Sequence, residues 1–243
     1  QVVISAVAAA AHVIILVFSK DLGSAVIFFA GYLIMVFIAT KNYFYLFAGI
    51  FGGAGASIVA YHMFSHVRTR VIAFLHPWSN INDSGYQITQ SLFAIGTGGW
   101  FGLGIDQGDP TSIPYVEQDF IFSAVAEEMG VIFGLCLILV CVSCFIVFMK
   151  IAMQLKEEFY RYIAVGLSTI YIFQVFLTIG GGTRFIPLTG VTLPLVSYGG
   201  SSVLTTIIMF SIIQGLYCIQ SQEGKRNVRK ERRRTADREA GEE

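Results

Sequence analysis

From Val2 to Ile219 the chain is a succession of apolar runs with short polar interruptions. A helix needs about 20 apolar residues to cross a ~30 Å hydrocarbon core. In lipid every backbone polar group must find an internal partner, so only helices or a closed barrel can span. Runs of this length predict helices, and the fold expected is all-α, a polytopic transmembrane bundle. Charged residues make up 13% of the chain, against about 25% in an ordinary soluble domain.

About six spans can be placed: Val2–Phe18, Leu22–Ala39, Tyr43–Met63, Met129–Met149, Tyr162–Ile179 and Val203–Ile219. The apolar run Phe120–Met149 covers about 45 Å at ~1.5 Å per residue, more than a bilayer core. Its first turns, with Glu127 and Glu128, are therefore expected above the lipid or beside a wet cavity. A long polar loop, about residues 64–119, joins the third and fourth spans. A second, Gly180–Ser202, joins the fifth and sixth. The third span carries Gly49, Gly52, Gly53 and Gly55, which permit close helix contact.

Half of the sixteen basic residues fall after Gly224: Lys225, Arg226, Arg229, Lys230, Arg232, Arg233, Arg234 and Arg238. Directly after a span, such a run marks a cytoplasmic side rather than a nucleic-acid site. It puts the membrane domain at 1–224 and a flexible basic tail at 225–243. Lys41 and the 150–161 turn fall on the same side. Both long loops then face outward, and no Lys or Arg occurs from Val71 to Met149. Lys20, Arg68, Arg70 and Arg184 break the rule. Positive charge facing an outer cavity suggests an anionic ligand; snorkelling to headgroups is the alternative. The chain starts at Gln1 with no basic leader, and is expected to be a piece of something longer.

The long loop gathers the chemistry. Asp119 precedes the run Phe120–Met149. It can cap that helix through its carboxylate, or serve as a general base whose pKa is raised by a partly dry site. Glu127 and Glu128 point in different directions, so one at most shares a cavity with Asp119; bonding to loop backbone or to Arg68 and Arg70 is the other reading. Asp21 can pair with Lys20 or cap the second span. Asp83, Asp106 and Asp109 sit among turn residues. Residues 86–95 can form a short amphipathic helix along the interface. The glycines Gly96, Gly98, Gly99, Gly102 and Gly104 suggest tight turns or a re-entrant segment lining a cavity. There is no G-K-[ST] phosphate loop. Cys141 and Cys144 form a C-x-x-C inside a span and read as packing residues, with Cys136 and Cys218. His12, His62, His66 and His76 lack ligand spacing.

Four segments carry a resemblance. KDLGSA, FLHPWSNINDSGYQITQSLFAIGTGGWFGLG, QDFIFSAVAEEMG and LTIGGGTRFIPLTGVTLPLVSYGGSS resemble, in order, motifs of the shape, elongation, division and sporulation (SEDS) family, to which RodA, FtsW and SpoVE belong. The resemblance implies the C-terminal six of about ten helices. It implies a peptidoglycan glycosyltransferase that polymerises lipid II at the outer face of the bacterial cytoplasmic membrane, with a class B penicillin-binding protein as transpeptidase partner. The family's essential Asp falls on Asp119 and its cavity Asp on Asp21. The expected substrate site also takes in Lys20, Arg68, Arg70, Gln87, Glu127, Arg184, Ser197 and Ser201. A divalent cation is compatible with this site and demanded by nothing in it. Membrane lipids are expected partners and nucleic acid is not. A transporter of lipid-linked cell-wall precursors is the competing class, and a non-catalytic scaffold a third. Departures from the family pattern are His76 before Pro77-Trp78, the run Pro114–Phe120 in place of PEAHTDF, and Thr189 within Pro187–Gly190.

Overall fold

The computed structural model describes the backbone of residues 2–239 and the side chains of residues 2–222. Eight helices follow in order: α1 Val2–Phe18, α2 Leu22–Thr40, α3 Tyr43–Met63, α4 Ser65–Leu75, α5 Tyr86–Gly98, α6 Ile121–Gln154, α7 Glu158–Gly182 and α8 Gly200–Glu239. No strand occurs among the described residues. By length and composition, α2, α3, α6, α7 and residues 200–222 of α8 can cross a membrane. The apolar α1, with 17 residues, is shorter. The chain is thus a multi-pass helical membrane protein. The tail expected at 225–243 has its side chains outside the described residues.

Local chemistry sets the breaks between spans. Asp21 accepts from Ser24 N at 3.0 Å and caps α2. Lys41 ends α2 in the left-handed conformation, and Asn42 caps α3 by accepting from Phe44 N at 2.9 Å. Phe64 is extended and separates α3 from α4.

The core lies between α6, α7 and α8. Phe148, Tyr171 and Phe210 meet edge to face there, with centroids 4.9–5.8 Å apart. Cys141 packs in the same cluster as a free thiol. In contrast α3 buries no residue and touches α2 through Gly49 on Leu33 and Gly53 on Phe29.

Two features of the long loop differ from expectation. Its first eleven helical residues form α4, so Arg68 and Arg70 are helical. And the short helix expected at 86–95 runs on to Gly98 as α5 and packs one face inward: Ile88, Thr89, Ser91, Ala94 and Gly98 are buried, and Ser91 Oγ bonds to Ser123 Oγ of α6 at 2.6 Å and to Gly182 O of α7 at 2.7 Å. A hydroxyl inside an apolar bundle is stable only when paired, and this pair locks the long loop onto the bundle.

The run Phe120–Met149, expected as one continuous helix longer than a bilayer core, is broken near its start. Gly130 has φ 83° and ψ 167°, so α6 is two helices meeting at a kink. A helix break strands backbone groups, and residues 99–104 supply their partners. Leu103 N and Gly104 N donate to Glu127 O and Glu128 O, at 2.9 and 3.0 Å. Val131 N donates to Gly99 O at 2.9 Å and Ile132 N to Trp100 O at 3.3 Å. The glycine-rich segment thus finds protein partners for its backbone in the broken helix.

Candidate active site

The loops 19–21, 64–120 and 183–199 converge at one end of the bundle. Gly23 at the start of α2 packs on Val191 and the Thr189 carbonyl. The turns at Lys41 and at residues 155–157 lie at the other end, where Gln220 bonds to Gln154 at 2.8 Å.

Asp119 closes a series of tight turns over residues 110–119, anchored by buried Ile113, Val116 and Phe120. The two preceding residues are sewn to the last loop. Ser197 Oγ donates to Gln118 O at 2.6 Å, and Tyr198 N donates to Glu117 O at 2.7 Å. The N-cap position of α6 is Phe120, with no side-chain cap. Asp119 is thus not spent on capping, and its carboxylate accepts no hydrogen bond among the described residues.

Burial pushes the Asp119 carboxyl above the ordinary carboxylate range, and the Arg70 guanidinium pulls it partly back. The two groups face each other across Gly190. A methyl carbon at Gly190 would lie 3.4 Å from Arg70 Nη2 and 3.7 Å from Asp119 Oδ2. They do not form an ion pair: among the described residues the one pair within contact is Arg161–Glu158, at the far end. Arg70 Nη1 instead donates to Thr189 O at 2.9 Å and Leu188 O at 3.4 Å. A half-buried carboxylate left without protein donors, beside a cation it does not touch, is suited to accept a proton from a third group.

Below this end a cavity of about 740 Å³ runs between α1, α2, α7 and α8. Asp21, Gln118, Gln174, Thr192, Ser201 and Ser202 make one part of its wall polar. Ile27, Phe28, Ile170 and Met209 make the rest apolar. Gly190 also lines it, which places the Arg70–Asp119 pair at its rim.

The other expected site residues divide. Asp21 and Ser201 line the cavity, and Ser197 positions Gln118. Gln87 Nε2 points to Pro114 O at 3.5 Å. Lys20 is exposed in a left-handed turn beside Asp21. Arg68 has partners elsewhere: it lies over the Tyr61 ring, 5.7 Å from the centroid, and reaches His62 O. Arg184 donates to Phe74 O at 3.0 Å and Leu75 O at 3.4 Å, so it fastens the end of α4. Glu127 turns away from the cavity. It is buried beneath the long loop, its Oε1 accepting from Asp109 N at 3.3 Å. Glu128 likewise accepts from Asp106 N at 3.3 Å. Asp109 accepts from Thr111 Oγ1, as a turn residue should. Among the described residues no cluster of three or more His, Cys, Asp or Glu is placed to hold a metal ion.

Two fastening residues were missed in the sequence. Gln174 Nε2 donates to Thr192 O at 3.0 Å and Thr178 Oγ1 to Val191 O at 2.9 Å, both from α7. Their signal was polar side chains four apart in an otherwise apolar run, one turn of a helix.

Comparison with known proteins agrees with this architecture. Residues 1–222 match the family described as cell cycle protein, of the FtsW, RodA and SpoVE type. The chain belongs to that family. It is 40% identical over 200 residues to peptidoglycan glycosyltransferase RodA of Mycobacterium tuberculosis, covering 82% of this chain and 42% of the relative. It is 46% identical over 151 residues to a probable peptidoglycan glycosyltransferase FtsW of Francisella salina, covering 59% and 37%. It is 34% identical over 199 residues to stage V sporulation protein E of Bacillus subtilis, covering 81% and 54%. Its fold matches a solved chain from work on the structural coordination of polymerization and crosslinking by a peptidoglycan synthase complex. There the TM-score is 0.75 at 25% identity, over 89% of this chain and 61% of that one. The chain spans about half the length of the curated relatives it matches, or less.

Proposed function

We propose that the protein containing this chain is a peptidoglycan glycosyltransferase that polymerises lipid II, with the Asp119 end of the bundle on the outer face of the cytoplasmic membrane and the basic tail inside. The observation that carries the reading is the Asp119 carboxylate: half-buried, free of side-chain and backbone donors among the described residues, facing Arg70, at the rim of a cavity with polar and apolar walls. A lipid-linked sugar diphosphate has the same two-part character.

Asp119 takes the proton from the 4-hydroxyl of the acceptor sugar. The oxygen attacks the anomeric carbon of the donor with inversion, and undecaprenyl pyrophosphate leaves. General-base help of this kind is worth about 10²- to 10⁴-fold. Arg70 is the cation placed to meet negative charge beside Asp119, and a guanidinium suits phosphate oxygens. Asp21, Ser201 and Gln174 supply polar contacts along the cavity wall. A class B penicillin-binding protein is the proposed partner, which fits the synthase complex named for the structural neighbour.

The test is the full-length protein in detergent, with lipid II and no membrane gradient. Glycan polymer on a gel is the expected result. Lipid II movement across vesicles without polymer would establish transport in its place.

A further inference from the structure

Residues 99–105, Gly-Trp-Phe-Gly-Leu-Gly-Ile, turn large apolar side chains outward. Trp100 is 69% exposed, Phe101 84%, Leu103 47% and Ile105 72%. An exposed cluster of this size calls for a cover, and none of these four residues is needed for the site around Asp119.

Three observations say what covers it. First, the backbone here is irregular yet paired. It exchanges four hydrogen bonds with the broken turn of α6, and Gly102 N also donates to Gly98 O at 2.8 Å. Non-helical backbone can enter a hydrocarbon region only when protein satisfies its polar groups. An ordinary surface loop has no such need, because water satisfies it. The pairing also requires glycine: Gly102 (φ 80°) and Gly130 (φ 83°) lie so close that neither has room for a Cβ.

Second, the cluster is continuous with the outward face of a span. Val131 and Ile132, which pair with Gly99 and Trp100, begin the half of α6 long enough to cross the membrane. Met129, Ile132, Phe133 and Leu135 continue the same exposed apolar character.

Third, polarity rises toward the loop's end. Leu103 and Gly104 pair with Glu127 and Glu128, one turn of α6 nearer the Asp119 end, and exposed Asp106 follows directly. Aromatic side chains at one level and carboxylates about one helical turn away match a bilayer boundary.

We infer that residues 99–105 are a wedge seated in the lipid leaflet on the Asp119 side, with Trp100 and Phe101 deepest. The occupant of this surface is phospholipid. The wedge props the α6 kink, so the short helix that starts two residues after Asp119 is held against the membrane rather than floating above it.

The experiment replaces Phe101 with a photoreactive benzophenone amino acid in the full-length protein. Thr111, exposed and polar on the same loop, serves as the comparison position. The protein is irradiated in vesicles of phosphatidylethanolamine and phosphatidylglycerol, and separately in cells. The expected result is a phospholipid mass added to the peptide bearing position 101 in both settings, and none at position 111. A discrete protein adduct at 101 in cells, in place of lipid, would overturn the proposal and make the patch a protein interface. Unreacted peptide at 101, or equal lipid labelling at 111, would also overturn it. Since position 101 is exposed, the substitution leaves folding untouched; retained gel-filtration behaviour checks this.

Discussion

Arg70 and Arg184 hold each other's segments. Arg70, from α4, donates to the carbonyls of Leu188 and Thr189, and Arg184, from the loop containing those residues, donates back to the carbonyls of Phe74 and Leu75 at the end of α4. The result is a two-point latch between segments more than a hundred residues apart. It fixes Arg70 beside Asp119 without letting the two touch.

Opening one side of the latch should loosen both. Arg184→Met loses two charge-assisted hydrogen bonds, each worth about 1.5–3 kcal/mol. Faster hydrogen exchange is expected in residues 70–76 and 183–190, with a lower polymerisation rate. Arg184→Lys should restore only part, because an ammonium lacks the planar fork. Unchanged exchange in Arg184→Met would show that the latch contributes nothing.

Gly190 is expected to tolerate no side chain. Its φ of 78° costs an L-residue about 1–2 kcal/mol. A methyl group there would also sit between Arg70 and Asp119. Gly190→Ala should keep a folded, extractable protein and lose most of its glycan product. Activity near that of wild type would show that the Arg70–Asp119 spacing is not critical.

Ser197 links two chain segments at once. It donates to Gln118 O and accepts from Leu193 N at 2.8 Å while buried. Ser197→Ala leaves both partners unsatisfied, at about 1–3 kcal/mol. A lower thermal midpoint is expected, and Ser197→Thr, which keeps the hydroxyl, should recover some of it.

The protonation of Asp119 sets two pH effects. As the proposed general base, Asp119 works in its ionised form, and burial raises its pKa above the ordinary 3.8. The acid limb of the rate profile should therefore lie above that value, and Arg70→Met should move it higher still, since Arg70 is what pulls the pKa down. For stability the sign is opposite. A folded-state pKa above the unfolded one means the folded chain binds the proton more tightly. That contribution is present at low pH and is lost as pH rises through the folded value. Asp119→Asn escapes this loss, so its thermal midpoint should equal or exceed that of wild type at neutral pH, with the gap growing as pH rises from the ordinary carboxylate range through the folded value and level above it. A gap that grows as pH falls would contradict the burial of Asp119.

The spans were legible because lipid imposes a length and a polarity on them. Tyr43–Met63 ends where the run of apolar residues ends, at an extended Phe64. The excess length of Phe120–Met149 was legible, but the break at Gly130 was not, because a single glycine in an apolar run does not reveal its φ. Asp119 was legible as a residue of note, but its two readings were separated only by the turn at 115–119, which moves the cap to Phe120. The arginines could not be sorted from the sequence. Arg68 and Arg70 are two residues apart and differ by about 200° around a helix, so Arg70 meets the last loop and Arg68 the Tyr61 ring. For Glu127 two readings stood side by side, cavity wall or loop backbone, and the sequence could not choose between them because its partner, the Asp109 amide, is supplied by a loop whose path depends on Gly102 and Gly130 meeting. Such long-range pairings leave no local pattern.

The account rests on a proton leaving the acceptor hydroxyl for Asp119. The direct measurement is the rate of lipid II polymerisation by full-length Asp119→Asn protein, with lipid II binding measured in parallel. The account predicts retained binding and a rate lower by about 10²-fold or more. Polymerisation within a few-fold of wild type would contradict it.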